Sequence, residues 1–102
     1  MNEENSKRKI YISGPITGIP EETAKKAFAD VQEKLEKKGY SVFNPMNLPH
    51  SHDKTWASYM REDLKAMLEC DSIFMLPGWE NSQGAKIEHR LATQLCFIVI
   101  YE

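Results

Sequence analysis

The chain has 102 residues, 41% of them apolar and 27% charged, with a formal net charge of −2. That length makes one domain with a single core, and the near-neutral charge gives no electrostatic reason to bind polymeric nucleic acid. Apolar runs are no longer than a strand and the N-terminus lacks the apolar stretch of a signal peptide, so we expect no membrane span and a cytoplasmic protein.

Met1 to Lys9 is polar and is expected to be a disordered tail, leaving residues 10–102 as a single domain. Ile10–Ser13 reads as a strand, broken by the loop Gly14-Pro15-Ile16-Thr17-Gly18. Pro20–Lys38 reads as a helix, with Pro20 where a missing N–H costs nothing and Glu21 and Glu22 set against the dipole. Ala24, Ala27, Phe28, Val31 and Leu35 form its buried stripe, and Gly39 its C-terminal stop. Tyr40–Phe43 is a second strand, ended by Asn44-Pro45. In the polar segment that follows, His50 and His52 lack a third ligand at defined spacing, so we assign no metal. Thr55–Leu68 is a helix capped by Thr55, with a stripe of Trp56, Met60, Leu64, Met67 and Leu68. Asp63 lies beside that stripe, where a charge needs a task or a partner such as Arg61 or Lys65.

Ser72–Leu76 is a third strand, stopped by Pro77-Gly78, and Gly84–Leu95 a third helix with Ile87, Leu91 and Leu95 on its stripe. Glu88 falls on the border of that stripe, between the small residues Gly84 and Ala92. It could complement the helix dipole or serve a site, and position alone leaves both open. Cys96–Tyr101 is a last strand, continuously apolar as if covered on both faces. Cys70 and Cys96 sit beside apolar strands with no paired spacing and read as reduced core thiols.

Alternating strands and helices with room for crossovers argue for an α/β, three-layer sandwich with a four-stranded parallel sheet, flavodoxin- or Rossmann-like. Ligands of such sheets bind beyond the carboxyl ends of the strands. The Gly14–Gly18 loop, the Gly78–Gly84 loop and the start of the Glu88 helix share that edge, so Tyr11, Ser82, Glu88 and Asp63 can converge there. Trp79 offers a flat face for a nucleobase, or a cover for the sheet edge or a subunit interface. So small an α/β domain is expected to form a homodimer or higher homo-oligomer.

YISGPITG at 11–18, Glu-Asp-Leu at 62–64, Cys-Asp-Ser-Ile at 70–73 and SQGAKIE at 82–88 together resemble the nucleoside 2′-deoxyribosyltransferase-like superfamily. The likeness covers nearly the whole chain from Ile10 and is greatest to a bacterial and phage branch carrying GWxxSxGAxxE. It implies cleavage or transfer at the N-glycosidic bond of a nucleoside or nucleoside 5′-monophosphate, with no cofactor. By the same resemblance Glu88 is the nucleophile, Asp63 assists departure of the base, and Tyr11 orients Glu88. Ser13, Gly14, Ile16, Thr17, Gly18, Trp79, Ser82 and Gly84 are then candidates for substrate contact, Ser82 standing where nucleotide glycosidases also carry a serine. The chemistry is consistent: retaining cleavage needs one carboxylate as nucleophile and a proton donor for the leaving group. The alternative is a non-catalytic nucleotide-binding or regulatory module of the same fold.

Overall fold

The computed structural model describes residues 8–48 and 55–102. His50 and His52 and most of the expected tail therefore lie outside the described residues. Strand β1 (Lys9–Ser13) leads to helix α1 (Glu21–Lys37), β2 (Ser41–Phe43), α2 (Trp56–Met67), β3 (Ser72–Met75), α3 (Gln83–Gln94) and β4 (Ile98–Tyr101). The strands are all parallel in the order β2-β1-β3-β4, with Tyr11 beside Phe43 and Ile73, and Ser13 beside Met75. This is the flavodoxin-like arrangement expected from the sequence.

The pleat sends alternate residues of each strand to opposite layers. Ile10, Ile12, Phe74 and Leu76 pack on Phe28, Val31 and Leu35 of α1. On the other face, Tyr11, Ile73 and Met75 meet Ala66 and Met67 of α2 and Ala85 and Ala92 of α3. Strand and helix ends fall within two residues of expectation, and Pro20, Lys38, Thr55, Leu68 and Leu95, expected inside the helices, stand at their caps. Thr55 accepts a hydrogen bond from Ser58 N at the start of α2, and Ser82 accepts one from Ala85 N at the start of α3. Lys9 belongs to β1 instead of the tail, because its carbonyl accepts from Asp71 N and it sits opposite Ser41 in the sheet.

Three expectations about burial are corrected. β4 is an edge strand, half exposed, with Ile98 at 41% and Tyr101 at 56% exposure, since only β3 pairs with it among the described residues. Cys70 is buried but Cys96 is exposed. Cys96 adopts φ 63° and ends α3, its N–H bonded to Thr93 O and that of Phe97 to Ala92 O. Gly39, at φ 94°, ends α1 by the same pattern of bonds to Glu36 and Leu35. Finally, α2 and α3 are each rotated from the apolar stripe read in the sequence. α2 turns Ser58, Met60, Asp63, Ala66 and Met67 inward while Trp56 and Leu68 stay exposed, and α3 buries Ala85, Glu88 and Ala92 while Leu95 is exposed. Alanines let α3 approach the sheet closely, and the inward faces of both helices carry a carboxylate.

Candidate active site

The β1–α1 turn passes over the end of β3 at close range. A Cβ on Gly14 would lie 2.7 Å from Leu76 Cβ, so only glycine lets the loop cross there without displacing β3. Beyond the carboxyl ends of the strands, between this loop, α2 and α3, a cavity of about 420 Å³ opens. That volume lies within the range of small-ligand sites.

Glu88 forms part of its wall with 5% exposure, and both carboxyl oxygens are held from β1. Tyr11 OH donates to Oε2 at 2.9 Å and Ser13 Oγ donates to Oε1 at 2.7 Å. Tyr11 and Ser13 are two residues apart on one strand and so point to the same face. Asp63, 8% exposed, lines the cavity from α2, and its Oδ1 has no hydrogen-bond partner among the described residues. Arg61, offered by the sequence as its partner, donates instead to Ser58 Oγ.

Burial pushes the Glu88 carboxyl up to about 7, against the pull of the hydrogen bonds from Ser13 and Tyr11 and with the charge of Asp63 adding to the rise. Burial, with the charge of Glu62, likewise pushes Asp63 up to about 7. The Tyr11 hydroxyl is raised well above its ordinary value by burial and by the Glu88 and Asp63 carboxylates, so it stays a donor. The site therefore holds two acids that titrate near neutrality. One has both oxygens engaged by donors, and the other has a buried oxygen, Oδ1, with no hydrogen-bond partner among the described residues.

A sequence profile described as a domain of unknown function, DUF4406, matches residues 8–101. The chain belongs to the DUF4406 family. No curated protein matches it. Among solved structures, this DUF4406 fold is similar to a 2-deoxyribosyltransferase from the psychrotolerant bacterium Bacillus psychrosaccharolyticus, with a TM-score of 0.69 and 22% identity. The match covers 91% of this chain and 70% of that one. The transferase fold expected from the motifs is thus the fold of this DUF4406 domain.

Of the candidate residues, Tyr11, Ser13, Gly14, Ile16, Thr17, Asp63, Ser82, Gly84 and Glu88 line the cavity. Gly18 and Trp79 are not part of its lining. Gly18 sits in an exposed turn at φ 84°. Trp79 faces the sheet edge, stacked on His89 with ring centroids 4.2 Å apart and 6.2 Å from Tyr101, whose hydroxyl lies 2.8 Å from His89 Nε2. The sequence reading missed Glu21, Lys25, Trp56 and Tyr59, all of which line the cavity of the DUF4406 domain. Glu21, Lys25 and Phe28 recur at helical spacing on one face of α1. That spacing, followed from the buried Phe28 back toward the Gly14–Gly18 loop, was the available signal. Lys25 is held by Glu21 at 3.4 Å.

Proposed function

We propose that this DUF4406 domain cleaves or transfers at the N-glycosidic bond of a nucleoside or nucleoside 5′-monophosphate. The observation that carries the reading is the pairing of two buried carboxyl groups on one cavity: Glu88 clamped by Tyr11 and Ser13, and Asp63 with a buried oxygen that no donor engages among the described residues. The likeness to a 2-deoxyribosyltransferase, described as a biocatalyst for nucleoside synthesis, supports the choice of substrate class.

Two donors favour the ionised form of Glu88, which suits a nucleophile; Asp63, buried and with no partner at Oδ1 among the described residues, suits the protonated acid. One Glu88 oxygen bonds to C1′ while the C1′–N bond breaks and its electron pair leaves with the base. Asp63 supplies the proton that the base takes. The glycosyl ester on Glu88 is then released to water or to a second base, with retained configuration. Trp56, Tyr59 and Met60, on the α2 wall, supply flat and polarisable surface for the base, and Lys25 supplies a cation for a 5′-phosphate. No described helix is long and apolar enough to cross a membrane. We also infer self-association, since Leu95, Ile98 and Tyr101 leave apolar surface uncovered on one edge.

The test is incubation with a panel of nucleosides and 5′-mononucleotides, with and without a free base, followed by chromatography. Base release or exchange is expected with at least one substrate, and Glu88→Gln should lower it at least 1,000-fold, an order-of-magnitude figure for loss of a covalent route. A mass increase of one glycosyl unit on the Glu88 peptide would identify the intermediate. Ligand-induced thermal shifts with no turnover across the panel would replace this reading with the binding-module alternative.

A further inference from the structure

Ser13 ends β1 with 1% exposure, and its bond to Glu88 is the shorter of the two on that carboxyl group. A serine hydroxyl has one hydrogen to give. Here it is given to Glu88, so any contact of Ser13 with a substrate in the cavity it lines would use its oxygen as an acceptor. We propose that Ser13 is a positioning residue for Glu88, its hydrogen bond to Oε1 fixing the plane of a carboxyl group that Tyr11 holds at Oε2. The proposal rests on the glycosidase reading above and adds a residue to its machinery.

The geometric reason is rotational. A glutamate on a helix reaches its carboxyl group through three side-chain torsions, and the last of them is broad and poorly restrained. One hydrogen bond at Oε2 leaves the group free to turn about that contact; a second at Oε1 removes the freedom. The long phenol of Tyr11 and the short hydroxymethyl of Ser13 converge on the same group because both stand on one face of β1. In a sheet strand their spacing is set by the ladder to β3, which pairs Tyr11 with Ile73 and Ser13 with Met75. The Glu88 carboxyl group is thereby aligned from a paired strand of the sheet as well as by its own helix.

The electrostatic reason acts in the same direction. Burial and the Asp63 charge oppose ionisation of Glu88, while the bonds from Ser13 and Tyr11 favour it. The titratable groups around it are Tyr11 from β1 and Asp63 and Tyr59 from α2, with Glu21 and Lys25 on the α1 wall of the same cavity. Removing the Ser13 donor leaves burial less opposed. Ser13 loses no proton in the glycosylation step and forms no bond, so its hydroxyl remains a donor to Glu88 throughout.

The proposal is tested with Ser13→Ala and Ser13→Thr, following Glu88 by carbon NMR of side-chain-labelled glutamate and measuring base release against pH. In Ser13→Ala the Glu88 midpoint is expected to rise by about one pH unit, the equivalent of a tenfold change in its proton affinity. The acidic limb of kcat should move with it, and kcat should fall about 10–100-fold with KM changed less than about twofold. Ser13→Thr, which keeps the hydroxyl, should restore both. A purely packing role would lower the melting temperature and leave the midpoint in place. An unchanged Glu88 midpoint in folded Ser13→Ala overturns the proposal, whatever the protein does with nucleosides. Absence of base release by the wild-type protein would instead overturn the glycosidase reading, and the titration would still decide the role of Ser13.

Discussion

Glu88 and Asp63 stabilise the folded chain less when they are charged than when they are neutral, and this gives the site a measurable signature in stability. Both bind a proton more tightly in the folded state, near 7, than their ordinary values near 4. Between those values the folded chain holds protons that the unfolded chain has lost, so stability falls as pH rises through about 4 to 7. The melting temperature should therefore be higher at pH 5 than at pH 8. Asp63→Asn and Glu88→Gln, which cannot ionise, should flatten that fall and raise the pH 8 melting temperature by about 5–10 °C, corresponding to roughly 1–2 kcal/mol in a domain this size. Calorimetric scans at the two pH values check this, and a wild-type protein more stable at pH 8 would count against burial of either charge. Both residues were legible in the sequence because each is a carboxylate beside an apolar stripe, where a charge is costly. Ser13 was recognised as a site residue from its motif, but its partner was not, since a 75-residue separation in sequence carries no local signal.

At the scale of elements, helix ends were more legible than helix faces. Pro20, Thr55 and Gly39 each carry chemistry that belongs to a terminus, and each stands at one in the structure. The faces of α2 and α3 were misjudged because the hydrophobic stripe was taken to mark the buried side. In α3 the buried side is instead Ala85, Glu88 and Ala92, small residues around an acid, and the bulkier Leu95 is 50% exposed. Small residues on the inner side mark close packing, which hydropathy underrates. The end of α3 also carries strain that the sequence concealed, because Cys96 occupies at φ 63° the position that glycine holds at the end of α1. A side chain in that region costs about 1 kcal/mol, and the exposed thiol offers no packing in return. Cys96→Gly should stabilise the fold by about 0.5–1 kcal/mol, after allowance for the extra freedom of glycine in the unfolded chain. Urea titration under reducing conditions measures the change, and a loss of stability would show that the positive φ at Cys96 costs less than the freedom glycine adds to the unfolded chain.

At the scale of the whole molecule, the parallel sheet and the edge that carries the cavity followed from the alternation of strands and helices, whereas the surroundings of β4 did not. Its sequence, Ile98-Val99-Ile100-Tyr101, has the unbroken apolar character of a strand with neighbours, yet Ile98 and Tyr101 are exposed and only β3 pairs with it among the described residues. Edge strands of monomers are normally blunted by charge, proline or a bulge. β4 has no charge or proline within it, in contrast to the other edge, where β2 is three residues long and runs into Asn44-Pro45. Leu95 extends the apolar surface from the adjoining end of α3. A second copy of the chain is the occupant we infer, since its own β4 presents the same uncharged backbone edge and apolar side chains, and a two-fold axis would satisfy both at once. Sedimentation at micromolar concentration should then show a dimer or larger assembly. Ile98→Lys should shift that equilibrium to monomer while circular dichroism remains unchanged, because a half-exposed edge position accepts a lysine without disturbing the core. A wild-type protein that sediments only as monomer would rule out β4 as a self-association edge.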